Sequence, residues 1–187
     1  QLIENEIFTL TYTGTISDQY NINPFIDALS QFKEDNPNNP FCLQFVGSVY
    51  PNLKKELTQR NLIGNTKFSP YVPHSESIDF LEKASALLVF GPLNRHGKEG
   101  GIPAKVYEYL AARKPIIYVG KKDGFVAEII HQTASGLAHD NNIGDIQNHI
   151  TDLYQKWESN NGILPNNAKI TEYSRESQAK TFANLLQ

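Results

Sequence analysis

The chain contains no methionine, a single cysteine and no long apolar run. The lone Cys42 cannot form an internal disulfide and lies within an apolar segment, so we expect a buried core residue in a cytosolic protein. No apolar stretch approaches the roughly 20 residues that a transmembrane helix needs, and we expect no signal peptide. Because the chain begins at Gln1 and lacks methionine, we expect it to be a piece of a longer protein.

Several binding and catalytic patterns are also missing. The net charge is only -3, which argues against a nucleic-acid partner, so any phosphate must be bound by local basic residues. There is no P-loop and no Gly-x-Gly-x-x-Gly fingerprint, which argues against an NTPase or a dehydrogenase. There is no Gly-x-Ser-x-Gly elbow of a hydrolase either.

The histidines show no metal-ligand spacing, and we expect no metal site. Their simplest interpretation is scattered surface polarity. His96 is the exception, because it lies in the loop discussed below and could donate a hydrogen bond to a phosphate. The five histidines are His74, His96, His131, His139 and His149.

Six predicted strands alternate with helical patterns along the chain. This alternation predicts one Rossmann-like α/β domain, doubly wound, with a mainly parallel sheet of about six strands and helices on both faces. The predicted strands are 6–12, 41–46, 66–68, 86–90, 116–119 and 135–138. The predicted helices are 24–34, 53–61, 104–113, 125–131, 143–158 and 170–186, with a further one starting at Ser75.

The most informative stretch is 95–120, a basic loop with three glycines, a short helix and a buried strand. Pro103 suits the first helical turn, and Pro115 ends the helix. Lys105 and Glu108 lie three residues apart and share one helix face. Val106 and Leu110 lie on another face, with Tyr107 and Ala111 beside it, and we expect that face to pack against the sheet. The loop and helix start suit a phosphate. A surface Lys–Glu pair explains the same spacing equally well.

Residues 101–117, Gly-Ile-Pro-Ala-Lys-Val-Tyr-Glu-Tyr-Leu-Ala-Ala-Arg-Lys-Pro-Ile-Ile, resemble the signature of glycosyltransferases with two Rossmann-like domains, the GT-B architecture, and especially of glycosyltransferase family 4. The resemblance extends more weakly from Phe8 to about Leu153. In that family the segment lies in the C-terminal domain, which binds the nucleotide sugar. The resemblance therefore implies that 1–187 is a single donor-binding domain whose N-terminal, acceptor-binding partner is missing.

The resemblance also assigns roles around the helix start. Lys98, Lys105 and the backbone of Gly100, Gly101 and Ile102 are expected to hold the diphosphate, and Glu108 to accept hydrogen bonds from the ribose. The family has a second, earlier glutamate near the transferred sugar. Glu99 is the catalytic candidate for that position, although it stands one residue too early, and the alternative is that this glutamate is missing.

Two further loops complete the expected donor site. Gly14 and Thr15 form the first loop after a strand, which faces the donor in the family. Many members place an arginine and a lysine there, and this chain does not. After the third predicted strand, Tyr71 and Val72 are candidates for reading the base through backbone groups, although Tyr71 could equally be surface packing.

By resemblance, the full-length enzyme moves a hexose from a nucleoside-diphosphate sugar to a glycan, lipid or small-molecule acceptor, with retention of anomeric configuration and without a metal or other cofactor. We expect it in the cytoplasm, or bound peripherally at the inner face of the cell membrane, and we expect the isolated domain to be inactive. Two alternatives stay open: a nucleotide-sugar epimerase of the same architecture, and a non-catalytic Rossmann-like module that binds a partner protein.

Overall fold

Six short strands form one parallel sheet. The structure is a computed structural model that describes residues 7–93, 101–159 and 168–185. The strands are Phe8–Thr13 (β1), Phe41–Val46 (β2), Thr66–Ser69 (β3), Ala86–Phe90 (β4), Ile116–Val119 (β5) and Gly136–His139 (β6). All neighbouring pairs are parallel, as the alternation of strands and helices predicts.

The strand order is β3-β2-β1-β4-β5-β6. The chain runs outward from β1 to β3, returns to place β4 beside β1, and then runs outward the other way. The two central strands pair at Leu10 with Ala86 and at Thr11 with Leu87. The direction of winding reverses between β1 and β4, and open α/β sheets bind ligands beyond the carboxyl ends of their strands at such a reversal.

Helices cover both faces of the sheet. They are Asn23–Asp35 (α1), Leu53–Gln59 (α2), His74–Glu82 (α3), Ala104–Ala112 (α4), Phe125–Gln132 (α5), Ile143–Glu158 (α6) and Arg175–Leu185 (α7), with short 3₁₀ segments at Ile63–Asn65 and Ala168–Tyr173. None of the described helices is both long and apolar enough to traverse a bilayer.

One face of the sheet carries an aromatic core. The ring of Tyr154 on α6 lies 5.2 Å from the ring of Phe8 on β1 and 5.6 Å from that of Phe32 on α1, measured between centroids. The opposite face packs β4 and β5 against α4 and α5, with Val89 and Val106 fully buried. Both central strands are covered on both faces; β4 is continuously apolar, whereas β1 alternates apolar residues with three buried or half-buried threonines. Because helices cover both faces of β1 and β4, a ligand would reach these strands at the carboxyl edge of the sheet.

The bounds of β2, β4, β5 and α6 agree with the sequence prediction, and Cys42 is buried as expected. The predicted helix 170–186 is correct only over Arg175–Leu185, because the chain first makes a separate 3₁₀ segment, Ala168–Tyr173. The hydroxyl of Ser174 accepts a hydrogen bond from the Ser177 N–H at 3.2 Å, so Ser174 caps a new helix instead of continuing an old one. The start of α3 also differs: it begins at His74 rather than Ser75.

Candidate functional site

A tight glycine turn follows β1 at the point where the winding reverses. Gly14 has φ +97°, and its N–H donates to the Val46 carbonyl at 2.8 Å. Gly47, which ends β2, has φ +124°, and a Cβ there would lie 2.5 Å from the Gly14 carbonyl oxygen. Only glycine satisfies both the positive φ and the close approach. Thr15 is exposed, and its N–H has no hydrogen-bond partner among the described residues.

The N-terminus of α4 opens at the same edge of the sheet. Pro103 precedes the helix and provides no side-chain cap. The N–H groups of Ala104 and Lys105 are therefore left without intrahelical partners, as are the first N–H groups of any α-helix. Such a terminus carries partial positive charge and favours an anion.

Lys105 reaches from this helix across the end of β1. Its ammonium group donates to the Thr13 carbonyl oxygen at 2.7 Å. A Cβ added to Gly14 would lie 3.3 Å from the ammonium nitrogen, so the cation stands against the glycine turn. Burial lowers the pKa of Lys105 to about 8, although the nearby Glu108 carboxylate acts in the opposite direction. The structure thus places the cation at the reversal of the sheet.

Tyr109, one helical turn after Lys105, is a site residue that the sequence analysis missed. Its hydroxyl accepts from the Thr13 N–H at 2.9 Å and lies 3.1 Å from the Thr13 hydroxyl. The side chain is fully buried, and burial raises its pKa to about 12. Its i+4 position relative to Lys105 was the available signal, because residues four apart share a helix face.

Val106 and Leu110 on α4 are buried as predicted, but the predicted neighbours on that face are wrong. The prediction placed Tyr107 and Ala111 beside Val106 and Leu110, but Ala111 is exposed and Tyr107 is half-buried. The buried residues are Val106, Tyr109 and Leu110. Tyr109 can be buried because its hydroxyl finds partners on β1, whereas Tyr107 packs loosely near Tyr173, 6.4 Å away between ring centroids.

Glu108 lies on the open side of α4. Its side chain is 38 % exposed, and one carboxylate oxygen is 3.9 Å from Nδ1 of His74, the first residue of α3. Tyr71, with 82 % of its surface exposed, and the half-buried Val72 immediately precede that helix. The predicted ribose carboxylate and the predicted base loop are thus neighbours in space.

A hollow of about 960 Å³ adjoins this cluster at the carboxyl ends of β4, β5 and β6. Its lining includes Asn21, Gly101, Pro103, Tyr118, Phe125 and Asn141. It does not include Gly14, Lys105 or Glu108. The ionic groups therefore lie beside the hollow rather than in it, and we place the candidate phosphate site at the glycine turn because the cation and the open N–H groups meet there.

The remaining predicted site residues divide into two groups. Gly101 is exposed at the rim of the hollow, and Ile102 packs against the core beneath α4. Lys98, Glu99 and Gly100 lie outside the described residues, as does His96.

Two histidines depart from the expected surface positions. His139 at the end of β6 and His149 on α6 are both buried, with Nε2 of the former 2.9 Å from Nδ1 of the latter. Burial lowers the pKa of both rings, that of His149 to about 4. Among the described residues, no three His, Cys, Asp or Glu side chains are grouped so that they could hold a metal ion.

The sheet order and the turn-helix arrangement at its reversal define a Rossmann-like α/β domain. The family model "Glycosyl transferases group 1" matches residues 1–176, and the chain belongs to this family of glycosyltransferases. A search of curated proteins by sequence finds no match.

Solved structures agree with the family. The apo lipopolysaccharide outer core galactosyltransferase WaaB is 14 % identical with a TM-score of 0.72, and the match covers 98 % of this chain and 50 % of WaaB. TarM of S. aureus, in complex with UDP and other ligands, is 16 % identical with a TM-score of 0.66, and the match covers 99 % of this chain and 37 % of TarM. The C-terminal domain of LpcC from Francisella tularensis is 17 % identical with a TM-score of 0.65, and the match covers 90 % of this chain and 87 % of that domain.

At these identities the likeness shows the fold alone, which is that of GT-B glycosyltransferases. The chain spans about half the length of WaaB and less of TarM. Its length is comparable to that of the LpcC C-terminal domain.

Proposed function

We propose that this chain is the donor-binding domain of a glycosyltransferase, and that it binds a nucleoside-diphosphate sugar at the carboxyl edge between β1 and β4. One observation carries the proposal: the Lys105 ammonium, the open N-terminus of α4 and the Gly14 turn converge where the winding of the sheet reverses. A cation, free N–H groups and a glycine turn together match the charge and hydrogen-bonding needs of a diphosphate.

In the proposed complex, the diphosphate accepts hydrogen bonds from the N–H groups of Ala104 and Lys105. The Lys105 side chain exchanges the Thr13 carbonyl for a phosphate oxygen, which is the stronger acceptor because it is charged. Glu108 accepts from the ribose hydroxyls, since its carboxylate is half-exposed on the same helix. The base then lies towards the loop that carries Tyr71 and Val72.

The chemistry we propose is transfer with retention. The helix terminus and Lys105 stabilise the negative charge that develops on the departing diphosphate, without a metal ion. Glu99 stays the candidate for the carboxylate nearest the sugar. The hexose, the acceptor and the location, in the cytoplasm or at the inner face of the cell membrane, are predictions from the resemblance, which also predicts that the acceptor site lies on a second domain.

Nucleotide titration tests the binding step. We expect calorimetry to show micromolar-to-millimolar binding of UDP or GDP, with amide shifts centred on Gly14, Ala104 and Lys105. Glu108→Gln should weaken binding, because a neutral amide accepts less strongly from the ribose hydroxyls. The matched control is Glu82→Gln, at the far end of α3. If no nucleoside diphosphate shifts these amides, the proposal is wrong.

A product assay on the full-length enzyme separates transfer from epimerisation. A transferase consumes donor only when an acceptor is supplied, apart from slow hydrolysis. Conversion of the donor to its epimer without acceptor would favour the alternative.

A further inference from the structure

Helix α4 holds one residue of β1 from both sides of its backbone. Thr13 donates its N–H to the Tyr109 hydroxyl at 2.9 Å, and its carbonyl accepts from the Lys105 ammonium at 2.7 Å. Lys105 and Tyr109 are four residues apart, so the two contacts come from consecutive turns on one face of the helix. The next residue is Gly14, the start of the turn.

The two contacts differ in what a bound anion would do to them. Lys105 carries its charge on a flexible four-carbon side chain, so a phosphate can attract it away from Thr13. Tyr109 is uncharged, fully buried and makes two contacts with Thr13. An anion at the helix terminus therefore exerts no net electrostatic pull on it, and we expect its position to stay the same. When Lys105 leaves the Thr13 carbonyl, Tyr109 is the remaining contact from α4 that keeps Thr13 in place.

The phenol also accepts a hydrogen bond from a buried backbone N–H. Thr13 is only 7 % exposed, and the Tyr109 hydroxyl is the acceptor that the structure shows for its N–H. A buried N–H without an acceptor is costly, so the backbone would shift to find one. That shift would be passed directly to Gly14 and to the open N–H of Thr15.

We propose that Tyr109 is the positioning residue of the diphosphate subsite: it locks the end of β1 onto α4, so that the Gly14 turn keeps its place while Lys105 turns to the ligand. Tyr109 itself does not touch the ligand. This inference rests on the proposed function and adds the group that preorganises the site.

The test compares Tyr109→Phe with Tyr154→Phe. Both tyrosines are buried, but Tyr154 lies on the opposite face of the sheet among Phe8, Phe32 and Trp157. For each variant, calorimetry gives the affinity for UDP and for UMP, or for GDP and GMP if the wild type prefers guanine. The ratio of the two affinities reports the diphosphate contact separately from the base and ribose.

We expect Tyr109→Phe to lower the diphosphate-to-monophosphate ratio by roughly tenfold, as misplacement of a preorganised group does. Monophosphate affinity should change little. Tyr154→Phe should leave the ratio unchanged even if it lowers thermal stability by a similar amount, because a merely structural loss does not discriminate between the two ligands.

A second variant covers poor folding of Tyr109→Phe. Thr13→Val removes the hydroxyl contact at 3.1 Å but keeps the N–H bond, so a smaller fall in the same ratio is expected. If the folded variants keep the wild-type ratio, or if Tyr154→Phe lowers it equally, the role of Tyr109 is refuted while diphosphate binding stands. Failure of the wild type to bind any nucleotide would instead refute the proposed function.

Discussion

Lys105 places its ammonium group 3.7 Å from the centre of the Tyr12 ring. The ring attracts the cation through its negative face, while burial of the side chain opposes the charge. Burial lowers the pKa of Lys105 from the usual 10.5 to about 8, although the Glu108 carboxylate raises it. In the proposed diphosphate site, a partly buried cation with a lowered pKa next to an open helix terminus would make binding dependent on pH.

Binding of a diphosphate should therefore be linked to proton uptake. At pH 8 about half of the free protein carries neutral Lys105, and the negative ligand raises its pKa, so up to about half a proton is taken up per ligand. At pH 6.5 the lysine is already charged and uptake from this group vanishes. Calorimetry at both pH values, in two buffers with different ionisation enthalpies, measures the uptake.

Variants identify the group responsible. Lys105→Met should abolish the uptake and weaken diphosphate binding by roughly tenfold or more, because a charge-assisted contact is lost. Lys114→Met is the matched control. Burial lowers the pKa of Lys114 too, but this residue lies just beyond the C-terminal end of α4, away from the proposed site. Unchanged proton uptake in Lys105→Met would contradict the assignment.

Gly47→Ala should destabilise the fold and disturb the first turn. The new Cβ would meet the Gly14 carbonyl oxygen at 2.5 Å in a backbone with φ +124°. We expect a loss of roughly 1–3 kcal/mol in the free energy of unfolding, measured by urea denaturation. Gly64→Ala is the control, because nothing lies within 4 Å of its added Cβ, and it should change stability by less than about 0.5 kcal/mol. Equal effects at both glycines would argue against the close approach.

The His139–His149 pair should make the fold acid-sensitive. Burial lowers the pKa of both rings in the folded state, that of His149 to about 4, whereas an unfolded histidine titrates near 6.5. Below pH 6.5 the unfolded chain binds more protons, so stability falls as pH falls towards 4, by up to about 1.4 kcal/mol per pH unit for His149, and His139 acts in the same direction.

Removal of one ring tests this linkage. His149→Gln should flatten the dependence of the unfolding free energy on pH between 6.5 and 4, although stability at pH 7 falls because a buried contact is lost. The exposed His131 on α5 provides the control variant His131→Gln. A slope that is the same for wild type and His149→Gln would count against the buried pair as its source.

The 3₁₀ segment before α7 should contribute to the core. Ile170 is 6 % exposed and belongs to the apolar cluster formed by α4, α5 and the face of β4 and β5 that packs against them. Ile170→Ala should lower the unfolding free energy by about 2–4 kcal/mol. Ile63→Ala, at a site that is 38 % exposed, should cost much less. Thermal denaturation compares them, and equal losses would mean that the segment packs only weakly.

Local patterns predicted most of the fold. β2, β4 and β5 are runs of apolar and aromatic residues between turn signals, and α6 has Ile146, Ile150, Leu153 and Trp157 at helical spacing, so their bounds could be read directly. The segment 170–186 misled the same reasoning. Its periodicity continues across Ser174, but the choice between continuing a helix and capping a new one depends on which backbone N–H the hydroxyl meets.

The candidate site could be predicted only in part from local sequence patterns. Lys105, Glu108 and the Gly14 turn are visible as residues because glycine and charge stand out from their surroundings. Tyr109 was missed because its burial depends on Thr13, 96 residues earlier. The His139–His149 contact likewise exists only because the start of α6 folds back against the end of β6.

The sequence by itself determined that strands and helices alternate, and that a glycine-rich basic loop leads into a helix carrying Lys105 and Glu108. Only the tertiary structure decided that β4 returns beside β1, which brings that helix over the Gly14 turn and joins Lys105 to Thr13. The reason is physical: local periodicity fixes which face of each element is apolar, whereas strand order is fixed by packing between elements that lie far apart in the chain.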